Sequence, residues 1–265
     1  MIKVEKDFTD IPDILTSSPR RGESREDAFN QNVASSSYCD AKHKYKVGSV
    51  QKKLNEIYHL KCAYCEQKLL DAPKHIEHYR PKDIYYWLAY SWDNLLLCCG
   101  SCNSAKGKRF VTSNTKVTYD NESFSDIHTF GNAYDISEEP QIINPEKENI
   151  LHLISFDKEG KISSMDARVH HTIENACSLN RDELLELRKG IITDFINRIN
   201  KHYLHFRQDK NINIFLPDIE NFIEKCSVEN EFYSFRYFVS YNIEIFFEGN
   251  IVLQKILKGL FLKRL

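Results

Sequence analysis

Cys62-Ala63-Tyr64-Cys65 and Cys99-Gly100-Ser101-Cys102, with 33 residues between them, decide how the rest of the chain is read. Each pair is a knuckle that can place two thiolates on one ion, and together they complete a closed tetrahedral four-sulfur shell. Such a shell keeps no open coordination position, so the expected ion is a structural Zn²⁺ that loops out the intervening segment. Buried free thiols or a redox dithiol are the alternative for a single pair; two matched pairs favour the metal. Cys98 adjoins Cys99, but only Cys99 keeps the two-residue spacing to Cys102. Cys39, Cys177 and Cys226 are isolated and read as small core residues.

Between and just after the knuckles lie His75-Ile76-Glu77-His78-Tyr79-Arg80-Pro81-Lys82, Trp92-Asp93-Asn94-Leu95-Leu96-Leu97 and Cys102-Asn103-Ser104-Ala105-Lys106-Gly107-Lys108. An acidic residue and His before a nearby Pro, then Asn-Leu-Leu, then Cys-Asn-x-x-Lys inside paired cysteines, resembles the HNH endonuclease motif. The resemblance implies an α+β, mainly helical fold: a zinc-stapled ββα-metal nuclease unit with a helical C-terminal half. It also implies roles. His78 would be the general base, Glu77 and Asn103 the ligands of a catalytic divalent metal, and Asn94 the brace of the loop that orients the histidine. Asn103 stands where the motif has its last His and offers an amide oxygen, and hard oxygen donors suit Mg²⁺ or Mn²⁺. Lys106, one turn beyond Asn103, and Arg80, Lys82, Lys108 and Arg109 are candidate contacts to a phosphate backbone, each also readable as a solvated basic residue. His75 is either a further ligand or a surface histidine.

The similarity narrows further. Ile11-Pro12 with Leu15, the Cys62-to-Glu66 knuckle, Ile76 to Lys82, Trp92 to Leu97, Ile143-Asn144-Pro145, Phe156 to Gly160, and Leu179-Asn180-Arg181 to Arg188 resemble the HNH nucleases of Septu anti-phage systems and of some retron neighbourhoods. That group implies an ABC-type ATPase partner. It gives the N-terminal arm and the C-terminal half a docking task, beside the alternative of a self-contained core.

Outward from this unit the chain divides into four. Residues 1–46 contain turn-rich stretches, Thr16-Ser17-Ser18-Pro19 and Ser35-Ser36-Ser37, and read as an irregular arm or docking segment. Residues 47–110 are the nuclease domain, entered by a helix from Ser49 with Val50, Leu54, Ile57 and Tyr58 on one face. Residues 111–149 are a polar, acidic connection, and 150–265 a helical domain. There Asn180 and Glu183 form a capping-box pattern, Leu179 and Leu184 a staple, and Leu184, Leu187, Ile191, Phe195, Ile199 and Tyr203 an apolar stripe running to about Phe206. Phe232, Phe235, Phe238 and the Ile243 to Phe247 cluster read as core.

The overall charge of −2 hides an asymmetry. Residues 41–110 hold 13 Lys and Arg against 6 Asp and Glu, whereas 121–160 hold 2 against 9. A basic unit attracts phosphate. The first residues, Met1-Ile2-Lys3-Val4-Glu5-Lys6, carry charge where a signal peptide needs an apolar run, and no stretch approaches the ~18 apolar residues of a membrane span. A soluble, cytoplasmic protein is expected, acting on nucleic acid and not on a membrane. DNA is the first expectation, and RNA such as a tRNA stays open, because attack by water needs no 2′-hydroxyl. A zinc module that binds nucleic acid or protein without cutting is the competing reading.

Overall fold

The five residues Leu95 to Cys99 are apolar and fully sequestered, as a strand covered on both faces must be. In the computed structural model, which describes residues 1, 3–16 and 25–265, they form β2 (Leu95–Cys99), antiparallel to β1 (Lys74–His78). The register pairs Lys74 with Cys99 and His78 with Leu95. Helix α4 (Gly100–Lys106) follows β2 without a linker and stops at Gly107, whose φ of 46° suits a residue without Cβ. This ββα unit is backed by α3 (Gly48–Ile57), which lays Val50 and Leu54 against β2 and delivers the chain into the first knuckle. The helix expected from Ser49 is therefore present, one residue longer at its start.

The N-terminal segment departs from the irregular arm expected of it. Residues 17–19 of its first turn-rich stretch lie outside the described residues, but α1 (Asp13–Thr16) and α2 (Arg25–Ala34) are helical, and Leu15, Ala28 and Phe29 are buried. What holds α2 is largely polar. Asn32 is buried, donates to Tyr86 O at 3.1 Å and accepts from Cys39 N at 2.9 Å. A stripe search misses a helix fastened this way.

The acidic connection is likewise packed, with α5 (Gly131–Glu138) set against the nuclease unit. Glu138 is fully buried and accepts from Arg80 Nε (2.8 Å), Tyr85 Oη (2.6 Å) and Val117 N (2.9 Å).

Beyond it come the hairpin β3 (Ser155–Phe156) and β4 (Ile162–Ser163), then α6 (Ala167–His171) and the 28-residue α7 (Asp182–Asp209). The capping box does not form. Asn180 spends its amide on β4, accepting from Ile162 N at 2.9 Å and donating to Ile162 O at 2.8 Å, so α7 starts two residues later. Its buried face is Leu184, Arg188, Ile192, Phe195, Ile199 and Phe206, rotated from the expected stripe so that Leu187 is 43% exposed. Helices α8 (Leu216–Glu224), α9 (Tyr233–Tyr241), α10 (Ile243–Phe246) and α11 (Ile251–Leu262) complete the fold around an aromatic cluster of Phe195, Phe222, Phe247 and Phe261. Buried side chains form one continuous cluster from Met1 to Phe261. Among the described residues no helix is long and apolar enough to cross a membrane. Of the isolated cysteines, Cys177 is buried, Cys226 half-buried and Cys39 exposed, against the core position expected for it.

Candidate active site and zinc centre

The four knuckle sulfurs come together. Cys62, Cys65, Cys99 and Cys102 are buried, with their Sγ atoms all within 4.8 Å of one another. Cys65 and Cys99 are 3.8 Å apart, the edge of a tetrahedron with Zn–S bonds of ~2.3 Å. The donor set fits structural zinc. Four thiolates about Zn²⁺ carry a net negative charge, and donors converge on it: Cys102 N reaches Cys99 Sγ at 3.3 Å, and the Arg181 guanidinium, at the N-cap of α7, reaches Cys102 Sγ at 3.4 Å and Cys99 Sγ at 3.7 Å. Cys98 Sγ lies 3.6 Å from Cys62 Sγ but is not one of the four; burial pushes its thiol up.

On the other side of the hairpin a cleft of about 340 Å³ gathers His75, Glu77 and His78 from β1 and Asn103 from α4. The His78 ring is buried, and Nε2 donates to the Ala89 carbonyl at 3.0 Å, which assigns the proton to Nε2 and leaves the Nδ1 lone pair. Burial pushes the imidazole down to about 3, the Ala89 bond opposing and the charges of Lys82, Lys106 and Lys46 adding, so the ring is neutral at pH 7. Glu77 Oε1 accepts from Lys106 Nζ at 2.7 Å; burial raises its carboxyl and Lys106 opposes the rise. Asn94 clasps the turn after β1, accepting from Arg80 N (2.7 Å) and donating to Arg80 O (3.0 Å) and Leu88 O (3.2 Å).

The five basic residues proposed to track phosphate divide by burial. Arg80 and Lys106 are buried. Arg80 is buried against Glu138 and Asp135 at 2.8 and 2.7 Å, and Lys106 is fully buried, its ammonium shared between Glu77 and His78 O at 2.7 and 2.8 Å. Both compensate internal carboxylates, because an ion this deep needs a partner. Lys82 and Lys108 line the cleft rim around Asp83, and Arg109 is exposed with its guanidinium on Ala105 O. Arg80→Ala is expected to cost about 3–5 kcal/mol in denaturant unfolding by leaving Glu138 unpaired, with the salt dependence of nucleic-acid binding unchanged.

Sequence reasoning missed the far wall of the cleft, formed by His43, Tyr45 and Lys46. Its one signal was the alternation Lys42-His43-Lys44-Tyr45-Lys46, basic residues interleaved with an aromatic. Arg181 carries no local signal of this role, since nothing near it in sequence pairs it with cysteines some 80 positions away.

Residues 62–109 match the HNH endonuclease family. Over 209 residues, 73% of this chain and 68% of the relative, the sequence is 27% identical to Septu protein PtuB of Bacillus mycoides (strain KBAB4). It is 45% identical to Septu protein PtuB of Bacillus thuringiensis over 56 residues, 20% of this chain and 22% of that one. It is 24% identical to Septu protein PtuA of Bacillus mycoides (strain KBAB4) over 161 residues, 56% of this chain and 21% of PtuA. The last two alignments thus span about a fifth of those relatives. The ββα hairpin, the four-sulfur cluster and these similarities agree: the chain carries an HNH domain at residues 62–109 and is PtuB-like across 73% of its length.

Proposed function

We propose that this protein hydrolyses phosphodiester bonds of nucleic acid, DNA before RNA, as the nuclease of a Septu-type anti-phage system working with an ABC-type ATPase. The observation that carries the reading is one cleft that holds an imidazole with its Nε2 proton committed to Ala89 O beside a carboxylate and an amide oxygen. His78 Nδ1 accepts a proton from water as the water oxygen attacks phosphorus, and the bond to the leaving oxygen breaks. Glu77 and Asn103 would hold a divalent ion, which would supply positive charge to the scissile phosphate and the departing oxygen. Lys106 fixes the Glu77 carboxylate in place and offsets its charge, so the protein alone would hold such a cation weakly. Asn94 holds the loop that runs on to Ala89, the acceptor of the Nε2 proton.

Lys82 and Lys108 are the phosphate contacts this arrangement favours. Replacing either by Ala is expected to weaken binding evenly across sequences and to lower the slope of log K against log salt by about 1, read by fluorescence anisotropy across a salt series. The whole reading is tested by incubating the protein, with and without the ATPase, with plasmid DNA and total RNA in Mg²⁺ or Mn²⁺. Loss of DNA supports it, loss of RNA alone reassigns the substrate, and binding without cutting in every combination replaces it with a non-catalytic zinc module.

A further inference from the structure

We infer that Tyr45, upstream of the HNH domain, is a positioning residue that fixes the plane of the His78 ring, which rests on the proposed role of His78 as the base. The hydrogen bond from Nε2 to Ala89 O fixes one atom of the ring and leaves it free to rock about that axis. A contact against the ring removes this freedom. Tyr45 provides it: the two ring centroids are 4.5 Å apart and the planes 80° apart, an edge-to-face arrangement, with Tyr45 itself only 3% exposed.

The two supports share an anchor. The buried Asp40 carboxylate accepts from Lys44 N at 2.6 Å, one residue before Tyr45, and from Tyr90 Oη at 2.8 Å, one residue after Ala89. It also accepts from Lys42 N at 3.1 Å, while Arg25 on α2 bonds the Lys44 carbonyl at 3.1 and 3.2 Å. The segment from α2 to Tyr45 therefore clamps the wall of the cleft to the backbone that holds Nε2. An attacking water needs Nδ1 in line, and a misplacement of about 1 Å costs on the order of 10²-fold in rate.

The test compares Tyr45→Phe and Tyr45→Leu with the wild-type chain and His78→Ala, following steady-state cleavage, zinc content, thermal midpoint and the ring resonances of histidine-labelled protein. The His78 resonance is assigned by its absence in His78→Ala. Tyr45→Phe is expected to match wild type. Tyr45→Leu is expected to lower kcat by about 10- to 100-fold with KM within about twofold, and to shift and broaden the His78 resonance. An unmoved resonance, or a loss confined to KM, overturns the inference. If wild type and His78→Ala cut equally or not at all, the nuclease reading fails, and the resonance alone decides whether Tyr45 fixes the ring. Should Tyr45→Leu lose zinc or melt early, Asp40→Asn keeps the packing volume and weakens both anchors; it is expected to show the same loss in kcat, and an unchanged kcat overturns the inference.

Discussion

His78→Ala is expected to slow cleavage by about 10²–10⁴-fold, the contribution of a positioned general base, with KM close to wild type. The His78 imidazole can accept a proton from water at neutral pH through its uncommitted Nδ1 lone pair, because its Nε2 proton is held by Ala89 O and burial keeps it uncharged. Glu77 is already paired with Lys106. Removing the ring leaves the Ala89 carbonyl without its donor, so a stability loss of ~1–3 kcal/mol accompanies the change. That loss is too small to account for the rate if the protein still holds zinc and is assayed well below the midpoint of a cooperative unfolding transition. Single-turnover cleavage with zinc content measured on the same sample separates the two effects, and a His78→Ala protein that cuts at the wild-type rate sinks the assignment.

The parts of the site that were legible in the sequence are those that a local rule dictates. A two-residue gap between thiols is a metal requirement, and it placed all four sulfurs; the uninterrupted Leu95 to Leu97 run marked a strand buried on both faces. Long-range polar burial left no such mark. Asn32 and Asp40 fasten the N-terminal segment to the cleft through hydrogen bonds with Tyr86 O and Tyr90 Oη, and Arg25 ties α2 to Lys44 O, so the segment reads as an arm while it is in fact a wall. Asn180 fits a capping pattern, yet a competing strand takes its amide. The charge asymmetry was the most misleading signal. Part of the excess of 13 basic residues over 6 acidic ones in 41–110 is consumed inside the molecule: Arg80 meets Asp135 and Glu138 from the acidic stretch, Lys106 meets Glu77, and Lys61 donates to the carbonyls of Val228 and Asn230. The two oppositely charged stretches are partly complementary to each other, which leaves Lys46, Lys82, Lys108 and Arg109 as the basic residues at or near the cleft.

Stripping zinc is expected to abolish both cutting and the cooperative unfolding transition of the nuclease unit. A structural four-cysteine site supplies an apparent ~10–16 kcal/mol at neutral pH, as much as or more than the ~5–15 kcal/mol by which a whole domain is stable. The shared ion would join the first knuckle to Cys102 on α4, and β2 ends at a ligand, Cys99. Without the ion, four buried sulfurs face one another, and the Arg181 guanidinium is left beside them. The surrounding core of α3 and α7 retains its own helices, so helical circular dichroism should fall only in part while the hydrogen-exchange protection of residues 62–106 is lost. Cys99→Ser or Cys102→Ser should behave like the chelated protein. Arg181→Ala should not: it keeps all four sulfurs and is expected to raise the rate of zinc release, with affinity lower by about 10- to 100-fold. Readdition separates the two metals. Zinc returned to the chelated protein should restore the transition, and Mg²⁺ or Mn²⁺ added afterwards should restore cleavage, whereas Mg²⁺ or Mn²⁺ alone should restore neither, since hard cations prefer oxygen to thiolate. A chelated chain with an unchanged melting point would mean that the core alone holds the hairpin, and the cysteines would then have to be explained by something other than the fold.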